Sequence, residues 1–275
     1  MYALKRPEVP SAASTWPTKE GGRSKRRPVK IKCLGCEALT RIIYLCAARS
    51  PHLVDIELFR LGLHREPADL RARLQARIDA SVGQGYDAVV MAYGLCGQTT
   101  AGLIARDVPL VIPRAHDCIT LFLGARDRYQ EQFINHPGTY WYALDYVERN
   151  DSSANVLSLG SDANADMGAV YDEYVAKYGK DNADYLMEVM GAWSKHYNRA
   201  AFIETGIGDS SSVEASTKQE AAKRGWVFER VAGDIVLVRR LLDGDWEADF
   251  LVVRPGQTIA MTYDAEIVGC VDSRS

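Results

Sequence analysis

The chain has 275 residues, 47% of them apolar and 25% charged, which suits one large α/β domain or two smaller lobes with an ample core. A net charge of −3 gives the molecule as a whole no electrostatic reason to seek nucleic acid or a membrane surface. No apolar run approaches the roughly 20 residues that a membrane helix needs.

Residues 1–27 form a separate compositional block, with Pro7, Pro10 and Pro17 followed by a basic cluster of Arg23, Lys25, Arg26 and Arg27. They read as a disordered, solvated tail without the apolar stretch of a secretory signal. Val29–Lys32 then predicts a first strand and Glu37–Arg49 a helix, stopped by Ser50-Pro51. Val54–Leu58 alternates apolar and acidic residues, as a strand with one exposed face does. Ala68–Val82 carries Leu70, Leu74 and Ile78 at helical spacing, and Gly83 and Gly85 can stop it. Tyr86–Ala92 reads as a buried strand, Thr99–Arg106 as a short helix, Val108–Ile112 as another buried strand, and Cys118–Phe133 as a helix. His136 to Trp141 reads as a turn with aromatic packing.

Residues 151–166 are rich in Ser, Asn, Asp and Gly, the composition of a lobe boundary. Beyond them, Tyr171–Tyr178 and Ala183–Tyr197 read as helices, Ala200–Glu204 as a strand, Val213–Arg224 as a helix ended by Gly225, Trp226–Val231 as a strand, Ile235–Leu242 as a helix and Phe250–Val253 as a strand. Alternating strands and helices imply an α/β fold, with a mostly parallel sheet covered by helices on both faces. The division expected is a tail (1–27), an N-terminal α/β lobe (28–150) and a C-terminal α/β lobe (151–275). That division allows two Rossmann-like lobes with a cleft between them, although no internal repeat supports it.

Six cysteines in a chain of this size are no small disulfide scaffold. With no secretory signal they are expected as reduced thiols in the cytoplasm: core residues, catalytic groups or ligands. Cys33 and Cys36 follow the first strand. Cys96 follows a central strand in Tyr93-Gly94-Leu95-Cys96-Gly97, and Cys118 follows the next in Arg114-Ala115-His116-Asp117-Cys118. In a parallel sheet the carboxyl ends of the strands open on one edge, where ligands bind, so thiols far apart in sequence are expected to converge. Gly94 and Gly97 would let backbone approach a cofactor. Helix N-termini favour thiolates. His116 and Asp117 offer an acid–base group and an orienting carboxylate, and Arg114 an anion clamp. Cys46, in a helix body, and Cys270, near the end, read as ordinary core cysteines.

Three chemistries fit this set. Three thiolates can hold a [4Fe–4S] cluster with one iron open to a substrate. With His116 they can hold zinc. Without metal, one thiolate can act as a nucleophile with His116 as its base. Thr205-Gly206-Ile207-Gly208-Asp209, ahead of a helix, is a weaker signal for an anion site, since it lacks the full dinucleotide or Walker pattern.

Cys36-Glu37-Ala38-Leu39, Tyr93-Gly94-Leu95-Cys96-Gly97 and Pro113-Arg114-Ala115-His116-Asp117-Cys118-Ile119 resemble the domain of unknown function 1638 family, as do Pro137-Gly138-Thr139 and Gly233-Asp234. The resemblance runs from about Ile31 to Val268. It implies Cys36 rather than Cys33 as the first ligand, and an association with corrinoid-dependent methyl transfer and one-carbon metabolism. The three-cysteine layout is also similar in chemistry, without implied descent, to quinolinate synthase and some desulfidases. The expected activity is thus a metalloenzyme in which Cys36, Cys96 and Cys118 hold the cluster and its open iron binds a small molecule, for lyase, desulfidase or methyl-transfer chemistry. The alternatives are an accessory protein that holds a metal or corrinoid for a methyltransferase or corrinoid-protein partner, and a metal-free cysteine transferase.

Overall fold

The computed structural model describes residues 27–149 and 197–272, with the single positions Val175 and Lys180 besides. The expected tail, the lobe boundary at 151–166 and the helix expected at Ala183–Tyr197 lie outside these residues, apart from Arg27 and Tyr197. The helix expected at Tyr171–Tyr178 is described only at Val175, which is helical.

The fold is mixed α/β with a mostly parallel main sheet. Its strands are β1 (Lys30–Cys36), β2 (Leu53–Phe59), β3 (Ala88–Ala92), β4 (Leu110–Pro113) and β8 (Phe250–Val253), ordered β2-β1-β3-β4-β8. All neighbours are parallel except β4 and β8. A second, all-parallel sheet contains β5 (Thr139–Ala143), β6 (Arg199–Glu204) and β7 (Val227–Ala232). An antiparallel hairpin pairs β9 (Gln257–Met261) with β10 (Val268–Asp272). The sheets do not divide by chain order at position 150. β5, from before it, joins the second sheet, and β8, from after it, returns to the first.

Period-2 alternation assigns each face of the main sheet. Ile31, Cys33, Val90, Ala92 and Val111 point to one side, toward α1 (Thr40–Arg49), α7 (Val236–Leu242) and the second sheet, where Tyr140 and Phe202 continue the same core. Leu34, Val89, Met91, Leu110 and Ile112 point to the other side, onto Leu70, Leu74 and Ile78 of α2 (Pro67–Ala80) and onto Ile259 and Val268 of the hairpin. β2 forms an edge of the sheet, which explains its half-exposed pattern. The second sheet is flanked by α5 (Leu144–Glu148) and α6 (Ser211–Arg224).

Three local expectations give way to long-range partners. Residues 99–106 form turns, not a helix. Their backbone pairs with the hairpin instead: Gly102 N–H donates to Ile259 O at 2.8 Å, Ile259 N–H to Leu103 O at 2.9 Å, and Ala105 N–H to Gln257 O at 3.0 Å. The helix expected over Cys118–Phe133 is two helices, α3 (Cys118–Leu123) and α4 (Arg126–Asn135). It breaks at Gly124, whose φ of 78° is left-handed and where a side-chain carbon would lie 2.7 Å from Asp234 O. The aromatic turn expected from His136 to Trp141 continues into a strand, because Thr139–Ala143 pairs in register with residues 199–203 of β6.

Candidate functional site

The strand order β2-β1-β3-β4 places a topological switch between β1 and β3. The chain leaves β1 toward one side, to β2, and returns on the other, to β3. A crevice opens there at the carboxyl ends of the strands. Cys36 is the last residue of β1, Cys96 lies in the loop after β3, and Cys118 is the first residue of α3 after β4. Three adjacent parallel strands thus deliver the three half-buried thiols to one edge.

Two of the loops are joined through their backbones. Leu95 N–H donates to Ala115 O at 2.8 Å, and Cys96 N–H donates to His116 O at 2.9 Å. Gly94 makes that approach possible: a side-chain carbon there would sit 2.7 Å from Asp117 N and 2.9 Å from Ala115 O. Gly94 therefore admits protein backbone on its side-chain face. Cys96 itself is held at φ 46°, next to Gly97 at 62° and Gln98 at 72°. Three successive left-handed residues, two of them not glycine, are a costly local conformation of the kind that persists where the surroundings over-determine it. Thr99 helps to hold it by donating its hydroxyl to Cys96 O at 2.8 Å. Gly97 is exposed, with open space around it, and remains the position where backbone could approach a bound group.

The thiols share one electrostatic neighbourhood. Burial pushes the Cys36 thiol up to about 11, partly offset by the Ala38 N–H. Burial pushes Cys96 higher still, and a charge on Cys36 raises it further. Cys118 is raised by burial, then by Asp117, Cys96 and Cys36. Backbone N–H groups at Ala38, Gly94 and Cys118 oppose the shift at each sulfur, while no cationic side chain is among the three thiols' main partners. Tyr93, buried with its hydroxyl 3.4 Å from Gly35 O, is raised first by burial and then by Cys36 and Cys96. Among the described residues, no three His, Cys, Asp or Glu side chains are placed to hold a single metal ion.

Cys33 is fully buried within β1, opposite Ile56 and Val90, with its thiol pushed up to about 12 by burial. It belongs to the core rather than the edge. Cys46 is buried in the same core, but Cys270, expected there too, is exposed on β10.

The flanking polar residues divide. Asp117 caps α3, accepting from Ile119 N–H at 2.9 Å and Thr120 N–H at 3.4 Å, as a good N-cap does. Its other oxygen accepts from the Tyr129 hydroxyl at 3.2 Å. His116 is exposed, its ring 5.8 Å from that of Tyr129. Arg114, expected to clamp an anion, is turned to the hairpin: its guanidinium donates to the carbonyls of Glu266 and Val268 and pairs with the Glu266 carboxylate at 3.1 Å. Sequence reasoning missed Tyr93 as a buried neighbour of the thiols. Its signal was position, one residue past β3 within the glycine–cysteine motif.

The family match can now be set beside this geometry. The sequence matches the family described as "Protein of unknown function (DUF1638)" over residues 58–242, about two thirds of the chain. The chain belongs to that family. The matched segment is shorter than the 31–268 suggested by the motifs: it contains Cys96 and Cys118, and Cys36 lies outside it. Neither the curated proteins nor the solved structures contain a match to this chain. The DUF1638 segment therefore includes the joined Cys96 and Cys118 loops, and β1 supplies the third thiol from outside it. No described helix is long and apolar enough to cross a membrane.

Proposed function

We propose that Cys36, Cys96 and Cys118 hold a [4Fe–4S] cluster with one iron open to a small substrate, and that the protein is a metalloenzyme of the lyase, desulfidase or methyl-transfer type. The observation that carries this reading is the delivery of Cys36, Cys96 and Cys118 to one sheet edge by three adjacent parallel strands. Burial raises the pKa of all three half-buried thiols, and Cys36 raises Cys96 and Cys118 further. Such a set is poor as free nucleophiles, which need a lowered pKa, and good as ligands awaiting positive charge.

A cluster would take each thiolate on its own iron, whereas zinc would draw the same thiolates to one centre; the iron, sulfide and zinc content of the purified chain decides between them. Backbone N–H groups facing the sulfurs are among the features that tune such clusters. When bound, the cluster would supply a Lewis-acidic iron for a substrate oxygen or sulfur. The protein's own residues do the rest. Tyr93 packs in the core with its hydroxyl toward Gly35 O, Asp117 fixes α3 and the Tyr129 hydroxyl, and His116 stands exposed where it can hand a proton to a bound molecule.

Anaerobic purification tests the proposal. The expected product is a brown protein with about four iron and four sulfide per chain. Iron should be lost in each of Cys36→Ala, Cys96→Ala and Cys118→Ala and kept in Cys33→Ala. A colourless wild-type chain after anaerobic reconstitution, or iron lost only in Cys33→Ala, would refute it.

A further inference from the structure

Beside the thiol edge lies a pocket of about 510 Å³, between α3, α4 and the turn that joins β9 to β10. Its volume is that of a small-molecule site. His116 and Thr120 reach it from one side, Arg126, Tyr129 and Phe133 from a second, and Glu266 from a third.

Arg126 is the cation in this pocket whose donors are mostly unused. One N–H donates to Ala265 O at 3.0 Å. The nearest carboxylate oxygens, of Asp249 and Glu266, lie at 3.7 and 3.9 Å, beyond hydrogen-bond reach. Both carboxylates serve other arginines more closely: Arg240 holds Asp249, and Arg114 holds Glu266 at 3.1 Å. Along the wall, the Tyr129 and Phe133 rings stack at 6.2 Å and 14°, and Phe133 is 62% exposed. Ile267, at the turn, is held at φ 66°, an outlier for a β-branched residue.

We infer that this pocket binds a small organic carboxylate, with the carboxylate on Arg126 and its apolar or planar body against Tyr129 and Phe133. A guanidinium fork matches a planar carboxylate in two parallel hydrogen bonds. Asp127, exposed where it lines the same pocket, disfavours ligands with a second negative charge. The identification of this ligand as the substrate of the thiol site rests on the cluster proposal, because the link is proximity: His116 is two residues before Cys118, and the Tyr129 hydroxyl is bonded to Asp117. Binding itself does not depend on iron.

The test is calorimetric titration of the full chain, with and without cluster, using benzoate, benzamide, acetate and inorganic phosphate. Benzoate should bind at least about ten-fold more tightly than benzamide, the value of a charge-assisted hydrogen bond. Arg126→Gln should weaken benzoate by a similar factor, and Arg126→Lys should recover only part of it, which guards against a folding defect in the glutamine variant. Phe133→Ala should weaken benzoate and leave acetate unchanged. Cys118→Ser should lose iron and keep benzoate binding. Equal binding of benzoate and benzamide, no effect of Arg126→Gln, or phosphate bound in preference to benzoate would each overturn the inference. Iron present without benzoate binding defeats the pocket alone; benzoate binding without iron defeats the cluster alone.

Discussion

The molecule has two parallel sheet edges that topology alone would treat as equals, and they differ in what their polar groups are doing. At the edge of the second sheet, the loops after β5, β6 and β7 close on protein. The Glu204 carboxylate accepts from Gly206 N–H at 2.6 Å, from the Ser210 hydroxyl and from Arg230 at 3.1 Å. Asp145, at the start of α5, accepts from Arg41 N–H at 2.8 Å and pairs with the Arg41 guanidinium, which also reaches Glu148 at 2.7 Å. Gly208 lies against Arg41 and Leu144, and Asp234 N–H donates to Phe122 O at 2.9 Å. At the edge of the first sheet, three adjacent strands bring three half-buried thiols whose ionisation burial opposes. A strand-end position makes a site possible; unsatisfied chemistry is what marks one.

The sharpest way to break this contrast is to open the closed edge. Asp145 is 4% exposed and accepts from both the Arg41 N–H and the Arg41 guanidinium, and a hydrogen bond to a charged group is worth about 1.5–3 kcal/mol. Asp145→Ala should destabilise the fold by about 3 kcal/mol in urea and leave the iron content per folded chain unchanged. Loss of iron in proportion to loss of stability would mean that the two edges form one site. Next in size is Gly94→Ala, which forces the Cys96 loop away from Asp117. It should cost about 1–3 kcal/mol, the usual range for overpacking, and here the iron should go with it. A Gly94→Ala chain that keeps its full iron would show that the joined loops are scaffolding only.

These contrasts also explain which parts could be read in advance. The convergence of Cys36, Cys96 and Cys118 needed only the strand pattern and the rule that parallel strands open on one edge, so local information was enough. Residues 99–106 were not legible, because what keeps them from being a helix is β9, some 155 residues later. The same holds for Gly124, broken by the backbone of Asp234, and for Thr139–Ala143, a strand only by virtue of β6. Arg114 shows the limit most clearly. It sits in the motif, beside the site, but Glu266 and Val268 of the hairpin decide where its charge goes, while Arg126, in no motif, is left facing the pocket. Side chains whose role depends on a distant partner are the ones that sequence reading assigns wrongly.

The smallest expected effect is also the most diagnostic for the thiol edge. A group whose pKa is raised on folding contributes stability that is complete below its unfolded value and is lost as pH rises through the folded one. For Cys36 that window runs from 9.0 to about 11, and Cys96 and Cys118 act in the same direction. The urea stability of the metal-free chain should therefore hold to pH 9 and fall above it. The Cys36→Ala, Cys96→Ala, Cys118→Ala triple variant should reduce that fall and leave the part due to Cys33 and Cys46, which burial raises in the same direction. With the cluster in place the sulfurs are already thiolate ligands, so the alkaline loss should vanish and acid should become the destabilising direction as protons compete for sulfur. A nucleophilic thiol with a lowered pKa would give the opposite sign in the metal-free chain, with stability rising as pH climbs toward 9. The sign of the difference between the wild type and the triple variant thus separates a ligand set from a metal-free transferase without knowledge of the substrate.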